Sequence, residues 1–221
     1  MPHFIETHYK TADLQQDRIP SGKLENKFAT NDFGFVRKQF EKAVSTLYHK
    51  DFAIIEKQCS ERSIVFRLGL YVAQNFEKCG YHVDCEYNRR DDEPKSLKGR
   101  QYNYPDLIVH QRGNSKNNLL VVEVKTPTDT QASDIENDIE KLKGFIQEKP
   151  YLYEQGVHVY ISETICCLAW YKKGEAIEYR KYRINKNTHA LLLMDASSAQ
   201  NKCIFDKWYC NSNGESDTHK R

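Results

Sequence analysis

Two carboxylates and an amine stand out by their spacing. In YPDLIVHQRGNSKNNLLVVEVKTP, Asp106 follows a proline, Glu123 lies seventeen residues on, and Lys125 two further. Brought together, they can hold a divalent cation beside a basic group. LIVH (107–110) and LLVVEV (119–124) are apolar and β-branched and flank the turn-rich RGNSKNN (112–118), a pattern that predicts a hairpin. Alternation along the second strand puts Leu119, Val121, Glu123 and Lys125 on one face. With the turn centred between Asn114 and Ser115, residue 106 falls opposite residue 123, and opposed residues lie roughly 5 Å apart. A Glu-x-Lys on a strand is ordinarily a solvated, ion-paired edge. Here it follows LLVV, which reads as a buried central strand, and charges are costly to bury unless paired or bound to metal.

A second acid joins them from upstream. Ser60 is placed to cap ERSIVFRLGLYVAQNFEK (61–78), whose apolar stripe is Ile64, Val65, Leu68, Tyr71, Val72 and Phe76. Glu61 lies three and four residues before Ile64 and Val65 and so projects from the inward face, although the helix dipole alone also favours an acid there. Together these positions resemble the PD-(D/E)XK nuclease superfamily, over residues 55–170. In such enzymes a helix ahead of the hairpin commonly supplies a further acid, which Glu61 matches. The resemblance implies a restriction-endonuclease-like core and Mg²⁺- or Mn²⁺-dependent hydrolysis of phosphodiester bonds in nucleic acid, DNA ahead of RNA. Asp106, Glu123, the backbone carbonyl of Val124 and Glu61 would be the metal ligands. Lys125 would orient or deprotonate the attacking water or stabilise developing charge. Restriction, defence against mobile DNA and repair are the settings it suggests.

The positioning elements follow from periodicity. FVRKQFEKAVSTLYH (35–49) predicts a helix and YHVDCEY (81–87) a first strand. Between that strand and the hairpin, NRRDDEPKSLKGRQ (88–101) carries Arg89, Arg90, Lys95, Lys98 and Arg100. It is either a solvated loop or a segment that meets nucleic-acid phosphates on the way to Asp106. DTQASDIENDIEKLKGFIQ (129–147) predicts a helix with Ile135, Ile139, Leu142 and Ile146 inward and Asp134, Asp138 and Lys141 facing solvent. The family resemblance makes Lys141 a candidate to support the site or touch nucleic acid. GVHVYIS (156–162) reads as an alternating strand, TICCLAWY (164–171) as a nearly continuous one, and EAIEYRKYRI (175–184) as a basic edge strand. Cys166 and Cys167 should then face opposite sides, and His110 is expected to be a satisfied strand histidine. The order predicts a three-layer α/β fold, a mixed β-sheet flanked by helices. Residues 1–34 read as an arm or irregular cap, 35–210 as one domain and 211–221 as a polar tail.

Composition bounds the rest. With 39% hydrophobic residues, fourteen tyrosines and ten phenylalanines, the 221-residue chain can bury a real core. A formal charge of +2 gives no global basic field, so nucleic-acid binding would need locally concentrated charge. Seven cysteines without a CxxC pair, and no signal-peptide pattern, predict a reducing, cytoplasmic home. No apolar run reaches membrane-span length. With no separate DNA-reading module in the pattern, specificity would come from loops, the arm, a homodimer or a protein partner or activator. Cutting both strands of a duplex favours the homodimer. The competing reading is a nuclease-fold module that binds nucleic acid or a protein without cutting.

Overall fold

The structure, a computed structural model, describes residues 32–87, 89–90, 93–94, 96–97, 100–101, 104–127, 132–149 and 151–198. The helix expected over 35–49 runs further, as α1 (Phe33–Glu56). The Asp32 carboxylate accepts the Phe35 N–H at its start, and the ladder bends at Asp51, where the backbone leaves helical geometry. The bend turns the Asp51 carboxylate onto Arg67 and Tyr71 of the next helix. That helix, α2 (Glu61–Phe76), buries the whole predicted stripe from Ile64 to Phe76 and ends in a 3₁₀ turn, Glu77–Cys79. Ser60 precedes it as foreseen, but its hydroxyl meets that of Ser63 instead of capping the backbone.

β1 (His82–Cys85) follows, then four two-residue strands: β2 (Arg89–Arg90), β3 (Glu93–Pro94), β4 (Ser96–Leu97) and β5 (Arg100–Gln101). They pair as two small antiparallel ribbons, so the backbone of the expected loop is partly extended and paired. β6 (Leu107–Gln111) and β7 (Asn114–Lys125) form the hairpin. α3 (Ala132–Gln147) crosses over to β8 (Gln155–Ile161), and β9 (Ile165–Lys172), β10 (Glu175–Ile184) and β11 (Leu191–Ser198) complete the sheet. Its order is β1-β6-β7-β8-β9-β10-β11, with β7 and β8 parallel and every other neighbouring pair antiparallel. Parallel neighbours need a long crossover, and α3 supplies it.

The fold is therefore a three-layer α/β arrangement around a mixed sheet. α1 and α2 cover one face, where Phe40, Leu47, Leu68 and Phe76 meet Leu107, Val122, Val159 and Trp170. α3 covers the other, where Leu142, Phe145 and Ile146 meet Ile108, Val121, Tyr160 and Ala169. Cys166 and Cys167 fall in opposite layers, as alternation requires. Two glycines set the layer spacing. A Cβ on Gly69 of α2 would lie 2.9 Å from Cys85 Sγ, and one on Gly156 of β8 would lie 2.7 Å from Ile146 Cδ1 of α3.

Two strand expectations are corrected. β8 does not alternate in exposure: it is buried along its whole length, because a central strand between two helical layers has no wet face. β10 is not the edge, since β11 pairs outside it and exposes Leu192, Leu193 and Met194. Cys59, Cys79, Cys85, Cys166 and Cys167 are free thiols; Cys203 and Cys210 lie outside the described residues. Among the described residues no helix is long and apolar enough to cross a membrane.

Candidate active site

The hairpin places the first two acids. Leu107, Ile108 and Val109 pair with Val122, Val121 and Leu120, a register that carries Asp106 to the position opposite Glu123. The turn itself is not where expected. It falls at Arg112-Gly113, with Gly113 at φ +71°, and two irregularities on either side of His110 restore the register. Leu119 is skipped at the first irregularity, between the pairs Val109–Leu120 and His110–Asn118, and it packs in the α1/α2 layer while Val121 faces α3. The shared face is thus Val121, Glu123 and Lys125, without Leu119.

Asp106 is held from across the hairpin, where its Oδ2 accepts the Val124 N–H at 2.7 Å. Glu123 is 1% exposed, and its Oε1 has no hydrogen-bond partner among the described residues. Burial pushes both carboxyls above the usual carboxylate range, Glu123 well above it, with the Asp106 charge adding to the rise at Glu123. The Lys141 ammonium, which meets Glu123 Oε2 at 2.6 Å, works the other way.

Lys125 stands at the end of β7 between two helices. Its Nζ lies 3.0 Å from Asp138 Oδ2 on α3 and 3.8 Å from Glu61 Oε2 at the start of α2. Burial works against its charge, but the hydrogen bond and charge of Asp138, with help from Glu61 and Asp106, outweigh it and raise the pKa. Lys141 is raised for the same reason, burial being overcome by Glu123 first. Its Nζ also donates to the Tyr104 carbonyl at 3.2 Å and lies 3.8 Å from Asp138 Oδ1. One strand away, at the register of Glu123, His158 is fully buried. Burial, then the positive charge of Lys125 and Lys141, push its pKa down to about 3, so the ring is neutral.

Asp106 and Glu123 thus lie opposite one another across the hairpin, and Lys125 comes within 3.8 Å of Glu61. The helical period places Asp138 and Lys141 in solvent; they turn inward instead, because they flank the apolar stripe of α3 where it passes the charged end of β7. Asp138 and His158 escape a sequence reading. The pairing of Asp138 with Lys141 at one-turn spacing is the available signal for the first. Nothing in VHVYI marks the second. His110 is the satisfied strand histidine foreseen, 2.7 Å from Asp84 Oδ2. The backbone of Arg89, Arg90 and Arg100 lies in the short ribbons, and Lys95 and Lys98 lie outside the described residues. A cleft of about 450 Å³ opens on the site; Glu61, Asp106, Arg62 and Phe66 are among its walls. Arg62 pairs with Glu86 at 3.0 Å, and Phe66 is 57% exposed.

Among the described residues no three His, Cys, Asp or Glu side chains close into a ready-made metal cage. Asp106 and Glu123 are the residues that could take part in holding a divalent cation such as Mg²⁺ or Mn²⁺. These ions are commonly held by one or two carboxylates, the remaining positions being filled by water and substrate phosphate. A buried carboxylate oxygen without a hydrogen-bond partner, beside a second carboxylate fixed by a backbone N–H, is such a donor pair.

No family model and no curated protein matches the chain. Among solved structures it is similar to the cryoEM structure of the DrdV–DNA complex, at 11% identity and a TM-score of 0.38. The likeness covers 77% of this chain and 14% of that one, and it is too distant to bear on function.

Proposed function

We propose that the chain is a metal-dependent nuclease that hydrolyses phosphodiester bonds of nucleic acid, DNA before RNA. The observation that carries the reading is the buried Asp106–Glu123 pair, one carboxylate fixed by the Val124 N–H at 2.7 Å, with the Lys125 ammonium two residues along the same strand. The buried Glu123 Oε1, without a hydrogen-bond partner among the described residues, is the oxygen left open to a cation.

Asp106, Glu123 and the Val124 carbonyl would hold Mg²⁺ or Mn²⁺, whose chemistry there is polarisation of the scissile phosphate and neutralisation of the leaving oxygen. Lys125 stays protonated at neutral pH, because Asp138 and Glu61 favour its charged form. It therefore acts as a donor that orients the attacking water and stabilises charge on the phosphoryl oxygens, not as the base. Glu61, which lines the cleft, is the carboxylate we assign to a second cation, directly or through water. Arg62 and Phe66 stand on the cleft wall where a strand would enter, one suited to phosphate and the other to stacking against a base. Arg89, Arg90, Lys95, Lys98 and Arg100 precede Asp106 in sequence and are assigned to phosphate contact on that ground. Two copies would cut the two strands of a duplex.

The test is cleavage of linear, circular and single-stranded DNA and of RNA with Mg²⁺, Mn²⁺ or EDTA, the wild type beside Asp106→Asn and Lys125→Met. The reading expects metal-dependent cutting by the wild type and its loss in both folded variants. Cutting that survives EDTA or both substitutions overturns it. Binding without cutting returns the non-catalytic module.

A further inference from the structure

Lys141 sits where a metal would be needed most. Its ammonium is 2.6 Å from Glu123 Oε2, the most deeply buried carboxylate of the site. With all four ionised, Glu61, Asp106, Glu123 and Asp138 set four negative charges among two ammonium groups, Lys125 and Lys141, an excess of two. That excess equals the charge of one divalent cation. The partners are also shared unevenly. Lys125 lies near both Asp138 and Glu61, while Lys141 serves Glu123 and has Asp138 Oδ1 at 3.8 Å and the Tyr104 carbonyl at 3.2 Å.

We propose that Lys141 is the resident counterion of the Asp106–Glu123 pair, and that divalent-cation uptake is an exchange in which the metal displaces this ammonium towards Asp138. The inference rests on the nuclease reading above. After the exchange every charge is matched: the cation with Asp106 and Glu123, Lys141 with Asp138, and Lys125 with Glu61. The move is short, because Asp138 and Lys141 lie one turn apart on α3, with the amine already 3.8 Å from Asp138 Oδ1 and donating to the Tyr104 carbonyl at 3.2 Å. It also turns Lys141 from a group that blocks the metal into one that faces a phosphate bound to it. In the metal-free protein the same lysine keeps Glu123 from being a buried charge without a counterion, which is the costlier state.

The experiment is calorimetric titration of Mn²⁺ into the full chain, with thermal melting, for wild type, Lys141→Met, Lys141→Gln and Asp106→Asn. If the ion pair is made about nine-tenths of the time, removing the competing amine tightens apparent Mn²⁺ affinity about tenfold. Both Lys141 variants should melt lower than wild type without metal and gain more than wild type from Mn²⁺. Variants that fold only when Mn²⁺ is present support the exchange equally. Mn²⁺ affinity equal to or weaker than wild type in folded variants overturns it, as do variants that stay unfolded at saturating Mn²⁺. Failure of the wild type to bind Mn²⁺ through Asp106 sinks the nuclease reading together with the exchange. Metal-dependent cutting by wild type with unchanged affinity in the variants sinks the exchange alone.

Discussion

Gly156→Ala is a small change that reaches the site through the packing of α3. A Cβ there would lie 2.7 Å from Ile146 Cδ1, 3.0 Å from Leu142 Cγ and 3.1 Å from Leu142 Cδ1. Carbon atoms in contact prefer about 3.5–4.0 Å. Ile146 Cδ1 ends its side chain and can rotate away. Leu142 Cγ cannot, because it is a branch point in a side chain that is fully buried. Relief must come from α3 moving off the sheet by roughly half an ångström or more, the shortfall in contact distance. Overpacking of this kind costs about 1–3 kcal/mol. For a chain of this size that is a fall in Tm of about 2–4 °C per kcal/mol. Lys141 neighbours Leu142 in sequence, so the same shift lengthens its 2.6 Å contact with Glu123 and the 3.0 Å contact of Asp138 with Lys125. Misplacement on the ångström scale can cost about 10²-fold in rate. Urea unfolding and the cleavage assay, read together, should show both losses. A variant within about 0.5 kcal/mol of wild type that cuts at the same rate would refute the account of how α3 is seated.

The remaining predictions concern charge. Lys125→Met should lower cleavage by about 10²-fold or more while nucleic-acid binding persists, because the lysine acts on the reacting phosphate and not on docking. A competition binding assay beside the rate separates the two. Glu123 has its pKa raised by burial and then by Asp106, with Lys141 opposing. An acid raised on folding contributes stability below its unfolded pKa, about 4.3, and loses that contribution as pH climbs through the folded value. Between pH 5 and pH 8 metal-free wild type should therefore lose stability relative to Glu123→Gln, a comparison in which the opposite slope of the neutral, buried His158 cancels; a gap between the two that does not change with pH counts against the burial argument. Asp84 has the opposite sign. Burial raises its carboxyl, but hydrogen bonds from Arg112 and His110 outweigh burial and hold it low. Its stabilisation is present above the unfolded value of about 3.9 and lost as pH falls through the folded one. Asp84→Asn should thus cost about 1 kcal/mol at pH 7 and close to nothing at low pH, read by denaturant titration at both.

The chemistry is legible in the sequence because it is strung along one hairpin. Proximity of residues 106 and 123 needs only a register, and the extended runs on both sides of the turn specify one. The turn lies earlier than its composition suggests, yet the opposition survives because the irregularities around His110 compensate. The inward stripes of α2 and α3 are legible for a similar reason, since helical period alone selects them. Residues at the border of a stripe are different. Asp138 and Lys141 point inward only because α3 crosses the charged end of β7, and periodicity within one helix carries no information about what it crosses. β11 escapes notice because LLLMDASS neither alternates nor is apolar throughout, and its exposed Leu192 to Met194 reflect an edge position that is a property of the whole sheet.

Glu123 and Asp106 as cation ligands are the core of the account, and anomalous diffraction from crystals grown with Mn²⁺ tests that directly. The prediction is a peak about 2.0–2.4 Å from a carboxylate oxygen of each residue, with the Lys141 amine withdrawn towards Asp138. A peak elsewhere, or a fully ordered site at saturating Mn²⁺ with the Lys141–Glu123 contact intact and no peak beside it, would contradict it.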